Sequence, residues 1–296
     1  MIGLKEGPVR LVRFEDGGSV RWGVVKGAMV VPVRTFRYEG PLEWEPRQLP
    51  LPSVRLRAPV DPPRNVFCMG LNYLAHVEES PTRQIPKDPV WFTKATTSVV
   101  GPEEEVVVDP ALTTQLDWEV ELAVVLRRGG RRIRASQALE WVFGYTVLND
   151  LSARDLQFAR GGQWFYGKSL DGLCPVGPVL VTADEIPDPQ ALELWLRVNG
   201  QVRQHGYTQD MIFSVAQAIE DLSRGITLLP GDVIATGTPA GMGFGQNPPV
   251  FLQDGDVVEA EISGIGVLRN RIRFESTGAR CGGRTGSVGL GGGTRP

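Results

Sequence analysis

Apolar and polar residues alternate with a period of two along most of this chain, and helical spacing is rare. Val9-Arg10-Leu11-Val12-Arg13-Phe14 and Ser19-Val20-Arg21-Trp22-Gly23-Val24-Val25 flank the turn residues Asp16-Gly17-Gly18, a pattern that predicts a β-hairpin. A proline-rich passage with Pro46, Pro50, Pro52, Pro59, Pro62 and Pro63 follows, and its stiffness predicts a linker. Beyond it, strands are expected at 65–69, 90–93, 106–108, 117–126, 142–148, 179–182, 192–198, 233–236 and 257–262. One long helix is expected at 208–224, where Met211, Ile212, Val215, Ala216, Ile219 and Leu222 form an apolar stripe and Gly225 supplies a stop. Shorter helices are expected after Tyr73, at 136–141 and at 152–160. There is no internal repeat and no regular strand–helix alternation. The pattern predicts a β-dominated α+β fold, with a mixed β-roll or barrel domain at 63–275 preceded by a small β-rich N-terminal domain at 1–62. The glycine-rich segment 276–296 has too little apolar surface to offset its ordering entropy and is expected to be a disordered tail.

The most informative stretch is Leu116-Asp117-Trp118-Glu119-Val120-Glu121-Leu122. On a strand, Asp117, Glu119 and Glu121 share one face, with Trp118, Val120 and Leu122 on the other. A rise of ~3.3 Å per residue leaves the Glu119 and Glu121 Cα atoms roughly 6.6 Å apart, close enough for both carboxylates to close on one cation. Solvated acids on an edge strand are the alternative, but the apolar run at 122–126 carries this strand into a core. Asp150 ends another apolar strand; it could cap a helix starting near Ser152 or complete a three-carboxylate site suited to Mg²⁺ or Mn²⁺.

Three further segments carry candidate chemistry. In Gly70-Leu71-Asn72-Tyr73-Leu74-Ala75-His76-Val77-Glu78-Glu79, a helix after Tyr73 would put His76 and Glu79 at i and i+3, so that the carboxylate could orient the imidazole to take a proton from water. A structural histidine is the plainer alternative. Lys168 stands among Trp164, Phe165 and Tyr166, either as a desolvated cation facing an enolate or carboxylate, or as a snorkelling surface lysine. The loop Ala235-Thr236-Gly237-Thr238-Pro239-Ala240-Gly241-Met242-Gly243 allows backbone amides to approach an anion, though it matches neither phosphate-loop nor dinucleotide spacing.

Composition narrows the function classes. With 42% hydrophobic and 22% charged residues the chain is an ordinary globular one, and a net charge of −3 gives no field toward nucleic acid or anionic membranes. The basic run at 127–134 straddles Gly129-Gly130 and reads as a solvated hairpin tip. No apolar run is long enough for a signal peptide or membrane span, so a cytoplasmic location is expected. Cys68, Cys174 and Cys281 lack metal or disulfide spacing, and His76 and His205 are too few for a multi-histidine metal site.

These segments together resemble the fumarylacetoacetate hydrolase family. The resemblance is carried by Gly-Leu-Asn-Tyr-x-x-His-x-x-Glu at 70–79, Leu-Asp-Trp-Glu-Val-Glu-Leu at 116–122 and Asn-Asp-Leu-Ser-Ala-Arg-Asp-Leu-Gln at 149–157. Gly167-Lys168-Ser169-Leu170-Asp171, the run at 231–239 and Gly264-Ile265-Gly266-Val267-Leu268-Arg269-Asn270 follow in family order. It implies a β-roll catalytic domain, a homodimer, and Mg²⁺ or Mn²⁺ held by Glu119, Glu121 and Asp150. It also implies a His76–Glu79 dyad that activates water or shuttles a proton, Lys168 as the electrostatic partner of the substrate, and contacts to substrate from Asn72, Tyr73, Lys94, Gly237 and Thr238. Asp117 does not match a ligand position and is expected to hydrogen-bond the ligands from behind. Leu71 stands where many relatives carry arginine. The expected substrate is a small-molecule 2-oxo acid, and the expected reaction is C–C bond hydrolysis of an acylpyruvate-type or ring-fission compound. Isomerisation or decarboxylation, including that of oxaloacetate, is the alternative, and a non-catalytic metabolite-binding protein is the rival from another class.

Overall fold

The computed structural model describes residues 7–60, 64–79, 83–159 and 161–276. Two large sheets dominate it. In the larger one, the central strands Cys174–Thr182, Val142–Asn149, Val120–Leu126, Val233–Ala235, Val66–Gly70 and Val90–Lys94 lie side by side in that order. Their pairing is antiparallel except between Val233–Ala235 and Val66–Gly70, which run parallel. Val120–Leu126 and Val142–Asn149 are buried at every position, as strands covered on both faces must be. The second sheet has the order Gln201–Tyr207, Glu193–Val198, Val257–Ile262, Gly266–Phe274, Glu105–Val108. It alternates buried and half-exposed positions, so one face packs on the core and the other meets solvent. The main apolar cluster joins both sheets through residues such as Trp118, Leu122, Tyr145, Leu196 and Ile262. The β-dominated α+β class expected from the pattern is the one the chain adopts.

The N-terminal strands are less separate than the proline-rich passage suggests. The predicted hairpin forms from Arg10–Asp16 and Ser19–Lys26, but Arg10–Asp16 also pairs with Cys174–Thr182, so the hairpin extends the central sheet. Two other expectations shift by local chemistry. The long helix is Val215–Gly225, because Ser214 and Gln217 form a reciprocal capping box that starts it there. Met211 and Ile212 therefore lie ahead of the helix, and Ile212 N donates to Asn72 O at 2.7 Å. The basic run at 127–134 is no tight hairpin tip: it opens a longer connection containing the helix Ala135–Ala138 before the partner strand begins at Val142. Arg128 stacks over Trp141 there. Among the described residues no helix is long and apolar enough to cross a membrane. The expected tail from 277 onward lies outside the described residues.

Candidate active site

The acidic stretch does not form the single strand its alternation predicts. It divides into Leu116–Asp117 and Val120–Leu126, because side-chain acceptors take the amides that a ladder would use. Trp118 N donates to Asp117 Oδ1 at 2.9 Å, Glu119 N to Asn149 Oδ1 at 3.0 Å and Val120 N to Gln204 Oε1 at 2.9 Å. Glu119 and Glu121 both line one cavity, whereas Asp117 turns to a glycine-rich loop, accepting from Gly243 N at 2.7 Å and Phe244 N at 3.1 Å. Asp150 arrives from the end of Val142–Asn149, fixed by its own amide donating to Glu119 O at 2.8 Å. One carboxylate oxygen from each of Glu119, Glu121 and Asp150 lies within 4.8 Å of the other two, and all three side chains are buried.

Four buried carboxylates and three buried cations share this region. Arg154 donates to Asp117 Oδ2 at 2.8 Å and Glu119 Oε1 at 2.6 Å. Lys168 Nζ bridges Glu119 Oε2 at 2.7 Å and Asp150 Oδ2 at 2.8 Å, and Lys94 Nζ donates to Asp150 Oδ1 at 2.5 Å. Glu121 has no ion pair among the described residues; it accepts the Gly237 amide at 2.8 Å. Burial pushes its carboxyl well up, and the neighbouring Asp150 and Glu119 push it further. Burial works in the same direction on Glu119, but Lys168 and Arg154 outweigh it and bring that carboxyl down to about 2. The cluster therefore holds one carboxyl group more than it has cations, on an all-oxygen donor set. That is the chemistry a hard divalent cation fits, and Glu119, Glu121 and Asp150 could hold one.

A cavity of about 290 Å³ opens over this floor. Its walls are aromatic: Phe92 meets Trp164 edge to face at 5.5 Å, and Phe158 lies 5.3 Å from Phe244. Gly70 has to be glycine for the first pair to seat, since a Cβ there would sit 2.4 Å from the Trp164 ring. His76 faces the same cavity from the short helix Leu74–Glu79. Burial is the main reason its pKa falls to about 4, with Arg154 and Lys168 lowering it and Glu119 opposing them, so the imidazole is neutral at neutral pH. Its Nδ1 is buried without a hydrogen-bond partner. The expected His76–Glu79 pair is not made: both Glu79 carboxylate oxygens accept from Gly241 N, at 3.1 and 2.9 Å.

The other expected substrate contacts divide similarly. Thr238 lines the cavity, but its hydroxyl donates to Val120 O at 2.9 Å and accepts from Gln204 Nε2 at 2.8 Å. Gly237 holds Glu121, and Lys94 lies behind Asp150, also donating to Leu151 O at 3.1 Å. Asn72 is a buried cross-link whose amide nitrogen donates to Phe213 O and Thr236 O while its oxygen accepts from Phe213 N. The Tyr73 hydroxyl is buried without a partner, and burial, then Glu121, raises its pKa. Leu71 lines the cavity with φ +58°, a left-handed conformation that leucine rarely adopts. Arg154 and its partner Gln157, 2.9 Å apart, were not among the residues expected from sequence to act. The signal was present in the Ser152-Ala153-Arg154 run that follows Asp150.

The neutral imidazole has a measurable consequence. The folded value of about 4 lies below the ordinary 6.5, so between those pH values the unfolded chain binds a proton that the folded one does not. His76 thus contributes stability that is fully present above pH 6.5 and lost as pH falls toward 4, about 2 kcal/mol of it by pH 5. In urea unfolding at pH 7 and pH 5, His76→Gln should lose about that much less stability than the wild type on acidification. Identical losses would contradict a buried neutral imidazole.

Comparisons with known proteins show the chain's family. Residues 65–273 match the family described as fumarylacetoacetate (FAA) hydrolase, C-terminal, and residues 9–59 match Rv2993c-like, N-terminal. The oxaloacetate tautomerase YisK of Bacillus subtilis (strain 168) is 48% identical over 224 residues, which are 75% of this chain and 74% of that protein. The solved structure of fumarylacetoacetate hydrolase from Exiguobacterium antarcticum superposes with a TM-score of 0.81 at 44% identity, covering 90% of this chain and 100% of that one. The 2-hydroxyhepta-2,4-diene-1,7-dioate isomerase of Mycobacterium marinum gives 0.79 at 38% identity, over 90% and 99%. With its acidic floor, its lysine and its histidine-bearing helix on a matching β-rich frame, the chain belongs to the fumarylacetoacetate hydrolase family of enzymes.

Proposed function

We propose that this protein is a divalent-metal-dependent tautomerase of short 2-oxo acids, oxaloacetate first among them, interconverting keto and enol forms by proton transfer at C3. The observation that carries this reading is the buried His76 imidazole, which shares a cavity with the Glu119–Glu121–Asp150 floor and whose Nδ1 has no hydrogen-bond partner among the described residues. Enolisation needs one base for the C3 proton and positive charge near the C2 oxygen. Hydrolysis needs an oriented water as well, and Glu79, the residue expected to help orient it, is bonded to Gly241 instead. Support also comes from the Bacillus relative's name, a tautomerase of oxaloacetate, and from the Mycobacterium structure's name, an isomerase.

In this reading Glu119, Glu121 and Asp150 hold Mg²⁺ or Mn²⁺, and the bound ion supplies Lewis-acid stabilisation of negative charge on the substrate's oxygens. His76 takes the C3 proton in one direction and returns it in the other. Lys168, fixed between Glu119 and Asp150, presents its charge toward the oxygen developing at C2. Phe92, Trp164, Phe158 and Phe244 keep bulk water away from the reacting carbons.

The test is decay of the enol of oxaloacetate, followed by its ultraviolet absorbance. Protein stripped with EDTA should be inactive and Mn²⁺ should restore the rate; full activity after exhaustive stripping would contradict the reading. C–C hydrolysis is the second reading, favoured by the Exiguobacterium structure's name. It would displace the first if the protein cleaved acylpyruvates while leaving enol decay unchanged.

A further inference from the structure

Glycine amides in the loop at 237–244 were expected to receive an anion from outside. They receive three of the protein's own: Glu121 at Gly237, Glu79 at Gly241, and Asp117 at Gly243, with the Phe244 amide joining it. Two of these carboxylates belong to the floor and its support, while the third lies at the far end of the helix that carries His76.

That helix, Leu74–Glu79, has only six residues. A segment so short cannot hold itself together in water and depends on what ties it down. At its start it is tied by Asn72, which is cross-linked to Phe213 and Thr236. At its end Glu79 ties it to the glycine-rich loop, its carboxylate accepting from Gly241 N. Gly241 is a firm anchor: its carbonyl accepts from Trp118 Nε1 at 3.1 Å, and its backbone is packed so closely on Arg203 O that a Cβ would come within 2.1 Å. Gly245 leaves room for the same carboxylate, since a Cβ there would lie 3.1 Å from Glu79 Cβ and 3.3 Å from its Oε2. His76 stands between the two ties.

We infer that Glu79 is a positioning residue, a latch that fastens the His76 helix to the Gly241 amide and so holds the imidazole over the carboxylate floor, and not a proton carrier. The inference rests on the tautomerase reading for its kinetic consequences but not for its structural ones. A glutamine at 79 keeps an oxygen that can accept from Gly241 N and cannot act as a base, whereas an alanine removes the latch.

Two measurements on the Mn²⁺-loaded protein separate the possibilities. In oxaloacetate enol decay, Glu79→Gln should stay within about threefold of wild-type kcat/KM with a superimposable pH–rate profile. Glu79→Ala should lose roughly 10- to 100-fold, mostly in kcat, the order expected for losing one hydrogen bond to a charged group. In amide hydrogen exchange, which needs no activity, the helix should exchange as slowly in Glu79→Gln as in the wild type and roughly 10- to 100-fold faster in Glu79→Ala. Loss of activity in Glu79→Gln equal to that in Glu79→Ala would overturn the latch, as would unchanged helix exchange in Glu79→Ala. A wild-type protein that leaves enol decay unchanged while its helix exchange follows the latch pattern would sink the tautomerase reading and leave the latch standing.

Discussion

Glu121→Gln is expected to make the metal-free protein more stable and the metal-loaded enzyme nearly inactive. Glu121 is buried beside two other carboxylates with no ion pair among the described residues, and its folded pKa is raised well above the ordinary 4.5. A carboxyl raised in this way binds more protons folded than unfolded above pH 4.5, so the native state loses stability as pH rises toward the folded value. Glutamine mimics the protonated form at every pH and can still accept from the Gly237 amide. At pH 7 the metal-free variant should therefore be more stable than the wild type, read as a higher Tm and a higher urea midpoint. Turnover with Mn²⁺ should fall roughly 100- to 1000-fold, because the residue is proposed to hold the ion that stabilises the enolate. A variant that is less stable than the wild type and fully active would contradict both halves of the argument.

Arg154→Met is expected to give the largest loss of stability at the site. The buried guanidinium joins Asp117, Glu119 and Gln157, and it also lies against the Phe244 ring. Removing one partner of a buried ion pair leaves the others charged and unsolvated, which costs about 3–5 kcal/mol. Thermal unfolding should fall by roughly 10 °C. Arg154→Lys should recover only part of this, since one ammonium cannot reproduce the fork that spans two carboxylates. A methionine variant as stable as the wild type would show that Asp117 and Glu119 find other partners.

Much of the floor was legible in the sequence because its information is local. Alternation put Glu119 and Glu121 on one face, and an apolar strand ending in Asn149-Asp150 brought the third carboxylate to the same rim. What escaped was decided by partners far along the chain. The break at Trp118–Glu119 depends on Asn149, 30 positions away, and on Gln204, 84 positions from Val120. Asp117 left the common face for the same reason: Gly243 and Phe244 offer amides that no local pattern announces. Spacing at i and i+3 made a His76–Glu79 dyad look natural, yet an amide 162 positions from Glu79 holds the carboxylate. Arg154 was visible as a residue but not as a hub, because its role follows from the fold that surrounds it. The N-terminal hairpin was legible as a hairpin, while its docking on Cys174–Thr182 was not, since pairing between distant strands leaves no mark on either one alone.

Calorimetric titration of Mn²⁺ into the metal-free protein bears most directly on the proposal that the buried carboxylates form a metal site. The wild type should bind one ion per chain, and Glu121→Gln, folded and at least as stable, should lose that binding. Equal stoichiometry and affinity in the two proteins would contradict the assignment of Glu119, Glu121 and Asp150 as the metal's ligands.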